Sequence, residues 1–199
     1  MKKLLFLLYA PLLFFCACKK KDQGTALKGV WARKADFPGV KRQAAVGFSI
    51  GGTGYIGTGY DGAIGLSDLY AYDPVSDSWT QRASLPVSPS LSRYGSVAFV
   101  IDGKAYLVGG NSATGFLKEV WEYDPANDMW TNKNPFPGPA RGNGIGLSVG
   151  SFGYFGLGYS IAPLAQLTDW WKYDPSTDQW TQMLDFPGPN IQSGMGFGL

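Results

Sequence analysis

The sequence contains no histidine. That removes the side chain most used as a general base near neutral pH and the commonest nitrogen ligand of metals. Cysteine is nearly absent as well: only Cys16 and Cys18 occur, both at the N-terminal end. The body of the chain therefore holds no disulfide framework, no thiolate metal site and no thiol nucleophile. A surplus of one charge is also lacking. Seventeen basic residues face 15 acidic ones, and Lys2, Lys3, Lys19, Lys20 and Lys21 crowd the N-terminus. Taking those five away leaves 12 against 15, so no basic face remains for nucleic acid. Nothing after the first twenty residues reads as a helix. What the chain does have is glycine (28), proline (13) and aromatics (15%). With 45% hydrophobic residues in 199, it can bury a core of one domain or two small ones.

The N-terminus reads as an address. Lys2 and Lys3 precede Leu4 to Phe15, an apolar run interrupted only by Pro11. It is too short to cross a hydrocarbon core of roughly 30 Å and fits a secretory signal. Phe15-Cys16-Ala17-Cys18 resembles a bacterial lipobox, with Phe15 and Cys16 departing from its usual residues. The resemblance implies a signal peptide over 1–17, lipidation of Cys18 and a tether over 18–28. It implies attachment to a membrane of the cell envelope, the outer membrane by expectation, with the side it faces left open.

Internal repetition organises the rest. Tyr72-Asp73-Pro74, Tyr123-Asp124-Pro125 and Tyr173-Asp174-Pro175 each lead, seven residues after the tyrosine, to Trp79, Trp130 and Trp180. These tryptophans are 51 and 50 residues apart. Tyr55, Tyr106 and Tyr154 recur in similar register, as do Arg42, Arg93 and Arg141. So do Asp36-Phe37-Pro38-Gly39, Pro135-Phe136-Pro137-Gly138 and Asp185-Phe186-Pro187-Gly188. In the middle copy, Val97 to Ile101 reads as a buried strand and Asp102-Gly103 as a two-residue turn. Lys104 to Val108 is a second strand ended by Gly109-Gly110, Lys118 to Tyr123 a third, and Met129 to Lys133 a fourth. Asp124-Pro125 opens the turn before the last. Four antiparallel strands in roughly 50 residues make one propeller blade.

Gly109-Gly110, Tyr123 and Trp130, so spaced, resemble the kelch repeat over about residues 29 to 199. The other two copies keep only the second glycine, as Thr58-Gly59 and Leu157-Gly158. The glycine-rich style behind a lipoprotein signal is similar to the kelch-repeat lipoproteins of Gram-negative bacteria. The implied fold is all-β: a kelch-type β-propeller with about three complete blades, at 42–84, 93–135 and 141–184. Tyr72, Trp79, Gly109, Gly110, Tyr123, Trp130, Tyr173 and Trp180 are then structural, the tryptophans filling gaps between blades. Gly29 to Ala35 aligns with a fourth strand and Ser193 to Leu199 with a first. The chain is thus expected to be the front portion of a six- or seven-bladed propeller, with closure by self-association as the alternative.

Several motifs have structural readings. Gly52-Thr53-Gly54-Tyr55-Ile56-Gly57 spells a dinucleotide fingerprint, but a hairpin within a repeat lacks the helix that motif needs. Asp73, Asp77, Asp124, Asp128, Asp174 and Asp178 have turn roles, and no metal is expected. Arg42, Arg93 and Arg141 enter the innermost strands and would ring one mouth of the channel, either gripping a ligand or holding carbonyls and acids between blades. Ile191 stands at the fourth such position. Tyr60, Asn111 and Tyr159 open loops on that same face and join the arginines as candidate ligand contacts. In the pair Trp170-Trp171, Trp171 is set against Glu122 and Trp170 against Trp121, leaving one ring free to stack on a sugar.

The family resemblance implies a binding scaffold for protein or glycan, without a cofactor, a metal or nucleic acid. The alternative is a sugar-active enzyme resembling a sialic acid mutarotase, which needs only acid–base groups and an arginine. A galactose oxidase site would require histidines and a cysteine-linked tyrosine that this body lacks.

Overall fold

The computed structural model describes residues 30–162, 164–189, 193, 194 and 196. The signal over 1–17, Cys18 and its tether, and Ile191 lie outside the described residues. The chain divides into two units, Met1–Arg33 and Lys34–Leu199. In the first, residues 30–33 form neither strand nor helix.

In the second unit three sheets repeat one meander. Blade 1 is Val46–Ile50, Thr53–Gly57, Leu69–Asp73 and Ser78–Arg82. Blade 2 is Val97–Ile101, Lys104–Val108, Val120–Asp124 and Met129–Lys133. Blade 3 is Ile145–Val149, Phe152–Gly156, Trp170–Asp174 and Gln179–Gln182. Each pairs antiparallel in sequence order. The first strands of successive blades pack on one another, which makes them the inner strands. The twelve strands lie within 46–82, 97–133 and 145–182. The third strand of blade 2 starts at Val120, two residues later than expected. The residues over 30–35, expected as a fourth strand, form none, because no described third strand lies alongside to complete their ladder. One short 3₁₀ turn, Pro89–Leu91, is the only helical element among the described residues.

Each blade carries the same turn. The Asp73, Asp124 and Asp174 carboxylates accept from the backbone N–H two residues on (2.8–2.9 Å). Asp77, Asp128 and Asp178 accept from the hydroxyls of Tyr72, Tyr123 and Tyr173 (2.6–2.7 Å). They also accept backbone N–H groups of the preceding repeat, from Ala35, Ala83 and Asn134. Trp79 and Trp130 donate to the carbonyls of Ala35 and Ala83. Through these bonds Tyr72, Tyr123, Tyr173, Trp79 and Trp130 tie each turn to the preceding repeat. The apolar core is divided between the two blade interfaces: Tyr55, Leu69 and Tyr123 in one, Phe99, Tyr106, Val120 and Tyr173 in the other.

A backbone ladder runs around the inner strands. Gly95 N–H donates to Ala44 O, Asn143 N–H to Gly95 O and Ser193 N–H to Asn143 O (2.8–2.9 Å). All four residues have positive φ, between 52° and 62°. Gly196 lies against Ile145 and Leu147 as Gly146 lies against Val97 and Phe99. Ser193 and Gly196 therefore repeat, on the outer side of blade 3, the contacts that join blade 3 to blade 2.

Candidate functional site

The entry segments of the inner strands meet the loops between second and third strands on one face, here called the upper face. Gln43 pairs with Tyr60, Arg93–Tyr94 with Asn111–Ser112, and Gly142 with Tyr159. The expected convergence of Arg42, Arg93, Arg141, Tyr60, Asn111 and Tyr159 is therefore present in the backbone.

The arginines, however, point inward. Arg93 and Arg141 are 0% exposed and Arg42 is largely buried. Arg141 pairs bidentately with Asp169 (2.6 and 2.6 Å) and donates to the carbonyls of Leu157 and Pro139. Its guanidinium lies over the Phe136 ring at 4.8 Å. Arg42 repeats this with Asp68, Thr58 O, Val40 O and the Phe37 ring. Arg93 pairs with Glu119 through Nη2 alone, and its buried Nη1 finds no partner. Two changes accompany this. Glutamate replaces aspartate, and Leu85 stands where Phe37 and Phe136 lie under the other arginines. Burial pushes the Arg93 pKa down. Burial also opposes ionisation of Glu119, but hydrogen bonds from Arg93 and Trp121 outweigh it and hold its carboxyl below the ordinary range. The expected ring of ligand-gripping guanidiniums is thus not offered to solvent. Each arginine instead clamps the entry of a blade to the start of its third strand. Asp68, Glu119 and Asp169 went unnoticed as partners, although they recur in the register of the tryptophans.

The same carboxylates correct the reading of the tryptophan pair. Trp171 pairs with Phe155 and Trp121 with Leu107, whereas Trp170 and Val120 pair with Gly156 and Val108. Trp171 and Trp121 are therefore equivalent. Trp171 Nε1 donates to Asp169 (2.7 Å) and Trp121 Nε1 to Glu119 (3.1 Å). Both rings seal an ion pair.

What remains open on the upper face is aromatic. The Tyr60 and Tyr94 rings are 5.0 Å apart and tilted by 49°. Asn111 Nδ2 donates to the Tyr94 hydroxyl. Tyr159 meets Phe116 edge to face at 5.9 Å. Tyr60, Ile64, Pro89, Tyr94 and Ser112 line a cleft of about 170 Å³ between blades 1 and 2. Its wall carries the segment 86–92, which makes the approach to Arg93 longer than those to Arg42 and Arg141 and includes the 3₁₀ turn. Beside it, Lys41, Arg42, Tyr60 and Asp61 border a second hollow of about 340 Å³. Backbone N–H groups of Ile64 and Ala63 hold the Asp61 carboxyl below its ordinary range. Such a surface offers ring faces, an amide and hydroxyls. It suits stacking and hydrogen bonding to a peptide or a sugar. Tyr94 and the 86–92 segment escaped the sequence reading; the longer Leu85-to-Arg93 spacing was their only signal. Among the described residues no cluster of acids could hold a metal ion.

Comparison with known proteins places this geometry. The chain is 27% identical over 150 residues to an N-acetylneuraminate epimerase of Pasteurella multocida, covering 56% of this chain and 39% of that protein. N-acetylneuraminate epimerase 1 of Escherichia coli is 31% identical over 151 residues, covering 55% and 40%. Kelch-like protein 35 of Mus musculus is 29% identical over 120 residues, covering 60% and 19%. The chain thus spans about two fifths of the epimerases it matches. Among solved structures, that of YjhT superposes with a TM-score of 0.69 at 20% identity, over 83% of this chain and 58% of that one, a likeness of fold. The KLHDC2/KLHL20/DRC7 Kelch-repeats domain model matches residues 30–194. With the repeated Tyr–Asp–Trp joints and three four-stranded blades, that match shows that the chain belongs to the Kelch-repeat family.

Proposed function

We propose that this protein is a binding scaffold, carried on a lipidated Cys18 in the bacterial cell envelope at the outer membrane, that takes a protein or glycan partner on its upper face. The carrying observation is the division of labour on that face. The repeated arginines are consumed in internal ion pairs, while Tyr60 and Tyr94, the latter hydrogen-bonded by Asn111, line a cleft that the repeat does not require. Kelch-like relatives support a scaffold role, and the N-terminal pattern supports the anchor. The test is photo-crosslinking of the full chain in envelope preparations, wild type against Tyr60→Ala and Tyr94→Ala. A partner whose yield falls about tenfold in both variants, at unchanged melting temperature, is expected; equal yields in all three would overturn the reading. Intact mass of the membrane-extracted protein should show an acylated Cys18 at the N-terminus.

A second reading is a sugar-active enzyme, favoured by the 31% identity to an N-acetylneuraminate epimerase. It predicts catalysed anomer exchange of N-acetylneuraminate, measured by proton NMR. Uncatalysed exchange in the presence of the chain speaks for the scaffold.

A further inference from the structure

A side chain that the architecture demands recurs in every blade, so a cluster found in one blade alone needs a local reason. Blade 2 has such a cluster on the lower face, where the first-to-second-strand hairpins and third-to-fourth-strand turns lie. Lys104 stands where blades 1 and 3 have Thr53 and Phe152, Glu122 where they have Ala71 and Lys172, and Lys133 where they have Arg82 and Met183. The three converge. Lys104 Nζ donates to Glu122 Oε1 at 2.7 Å and lies 3.7 Å from Asp124 Oδ2. Lys133 Nζ lies 3.5 Å from Glu122 Oε2, and the Tyr106 hydroxyl donates to the same oxygen at 3.0 Å. Burial resists ionisation of Glu122, but these donors prevail and hold its carboxyl below the ordinary range, while Glu122 in turn raises the Lys104 pKa.

This cluster borders a cavity of about 500 Å³ between blades 2 and 3. That size lies within the range of small-ligand sites, about 300–1,000 Å³. Each ammonium has three N–H donors, more than Glu122 and Asp124 absorb, so donors remain for a guest. The apolar part is Ile101 and Pro175. Charge then decides the ligand. Two ammonium groups, Lys104 and Lys133, face three carboxylates, Asp102, Glu122 and Asp174. An anion meets repulsion from the carboxylates, and a cation meets the lysines. A neutral molecule rich in hydroxyls uses both sets as donors and acceptors and lays its C–H face on the apolar part.

We propose that this lower-face cavity is a binding site for a neutral saccharide of one or two rings, separate from the upper cleft and independent of what that cleft binds. The test uses the full chain and three probes, lactose, cellobiose and N,N′-diacetylchitobiose, followed through the backbone amide shifts of Ser151 and Phe152. At least one probe should shift them saturably in the millimolar range. Lys104→Thr and Glu122→Ala install the residues blade 1 already carries at these positions, so the fold has a precedent for both. Each should weaken binding about tenfold, or 1.4 kcal/mol, while Tyr94→Ala leaves it unchanged. No saturable shift with any probe, equal binding in Lys104→Thr and Glu122→Ala, or loss of binding in Tyr94→Ala would each overturn the proposal.

Discussion

Arg141 has two carboxylate oxygens, two main-chain carbonyls and the face of Phe136 around it, and no solvent. Removing one partner of such a pair leaves the other charge buried and alone. Arg141→Ala should therefore cost about 3–5 kcal/mol of stability, read from urea unfolding. The double change Arg141→Met with Asp169→Leu should cost much less, because no charge is stranded. The arginines were legible as a recurring series. Their partners were not, because a carboxylate so far along the chain looks like any surface acid until the third strand folds back beside the second and brings it to the entry of the blade. The same ion pair explains the misplaced tryptophan register. Trp170 and Trp171 are equally apolar, and only the acid at 169, which needs an indole N–H two residues on, distinguishes them.

Titration belongs to this scale too. Asp73, Asp77, Asp124, Asp174, Glu119 and Glu122 all have depressed pKa values, held by hydrogen bonds. A depressed acid favours the folded state above its unfolded pKa, about 4, and that stability is lost as pH falls through the folded value. The tyrosines act at the other limb. Bonding to Asp77 pushes Tyr72 up to about 12, and burial raises Tyr106, Tyr123 and Tyr173 further. Such tyrosines favour folding below the unfolded pKa of about 10, and the benefit disappears as pH rises towards the folded values. The urea midpoint should therefore form a plateau between roughly pH 5 and 10. Tyr123→Phe should flatten its alkaline edge.

At the scale of a blade, glycine decides how closely sheets approach. A Cβ on Gly153 would stand 2.2 Å from Phe99 Cε2, a ring already buried in the interface between blades 2 and 3. Gly153→Ala should cost about 1–3 kcal/mol by overpacking. Gly103 is different: nothing lies within 4 Å, but φ is +76°. Gly103→Ala should cost only about 1 kcal/mol, the strain of the turn. Thermal melting of the two variants, compared side by side, checks the ranking. The four-strand meander was legible because turns and apolar runs alternate within each repeat. The short pairing of Asn111–Ser112 with Gly115–Phe116 was not, since two-residue ladders are set by the neighbouring entry strand rather than by any local apolar pattern.

Among the described residues, interfaces between blades are made twice, and the outer faces of blades 1 and 3 are less covered. Ile101 is 2% exposed under blade 3, while Val149 at the same place in blade 3 is 50% exposed. Tyr123 and Tyr173 are 0% exposed, and Tyr72 of blade 1 is only half-buried. These two end faces are the two halves of one contact, and exposed apolar sheet faces associate. The chain by itself should therefore sediment as larger species with rising concentration, and Val149→Lys should reduce this. A monomer at all concentrations would contradict the expectation.

The ladder through Ala44, Gly95, Asn143 and Ser193 sets how one sheet is swivelled against the next with main-chain atoms alone. A joint of that kind constrains only the few left-handed positions that form it and leaves the loops beyond them alone. Loops, clefts and charged clusters can then be exchanged blade by blade without changing how one blade follows the next. Two chains only 20% identical can still superpose with a TM-score of 0.69. The frame passes on its curvature, and what each blade recognises is left free to diverge.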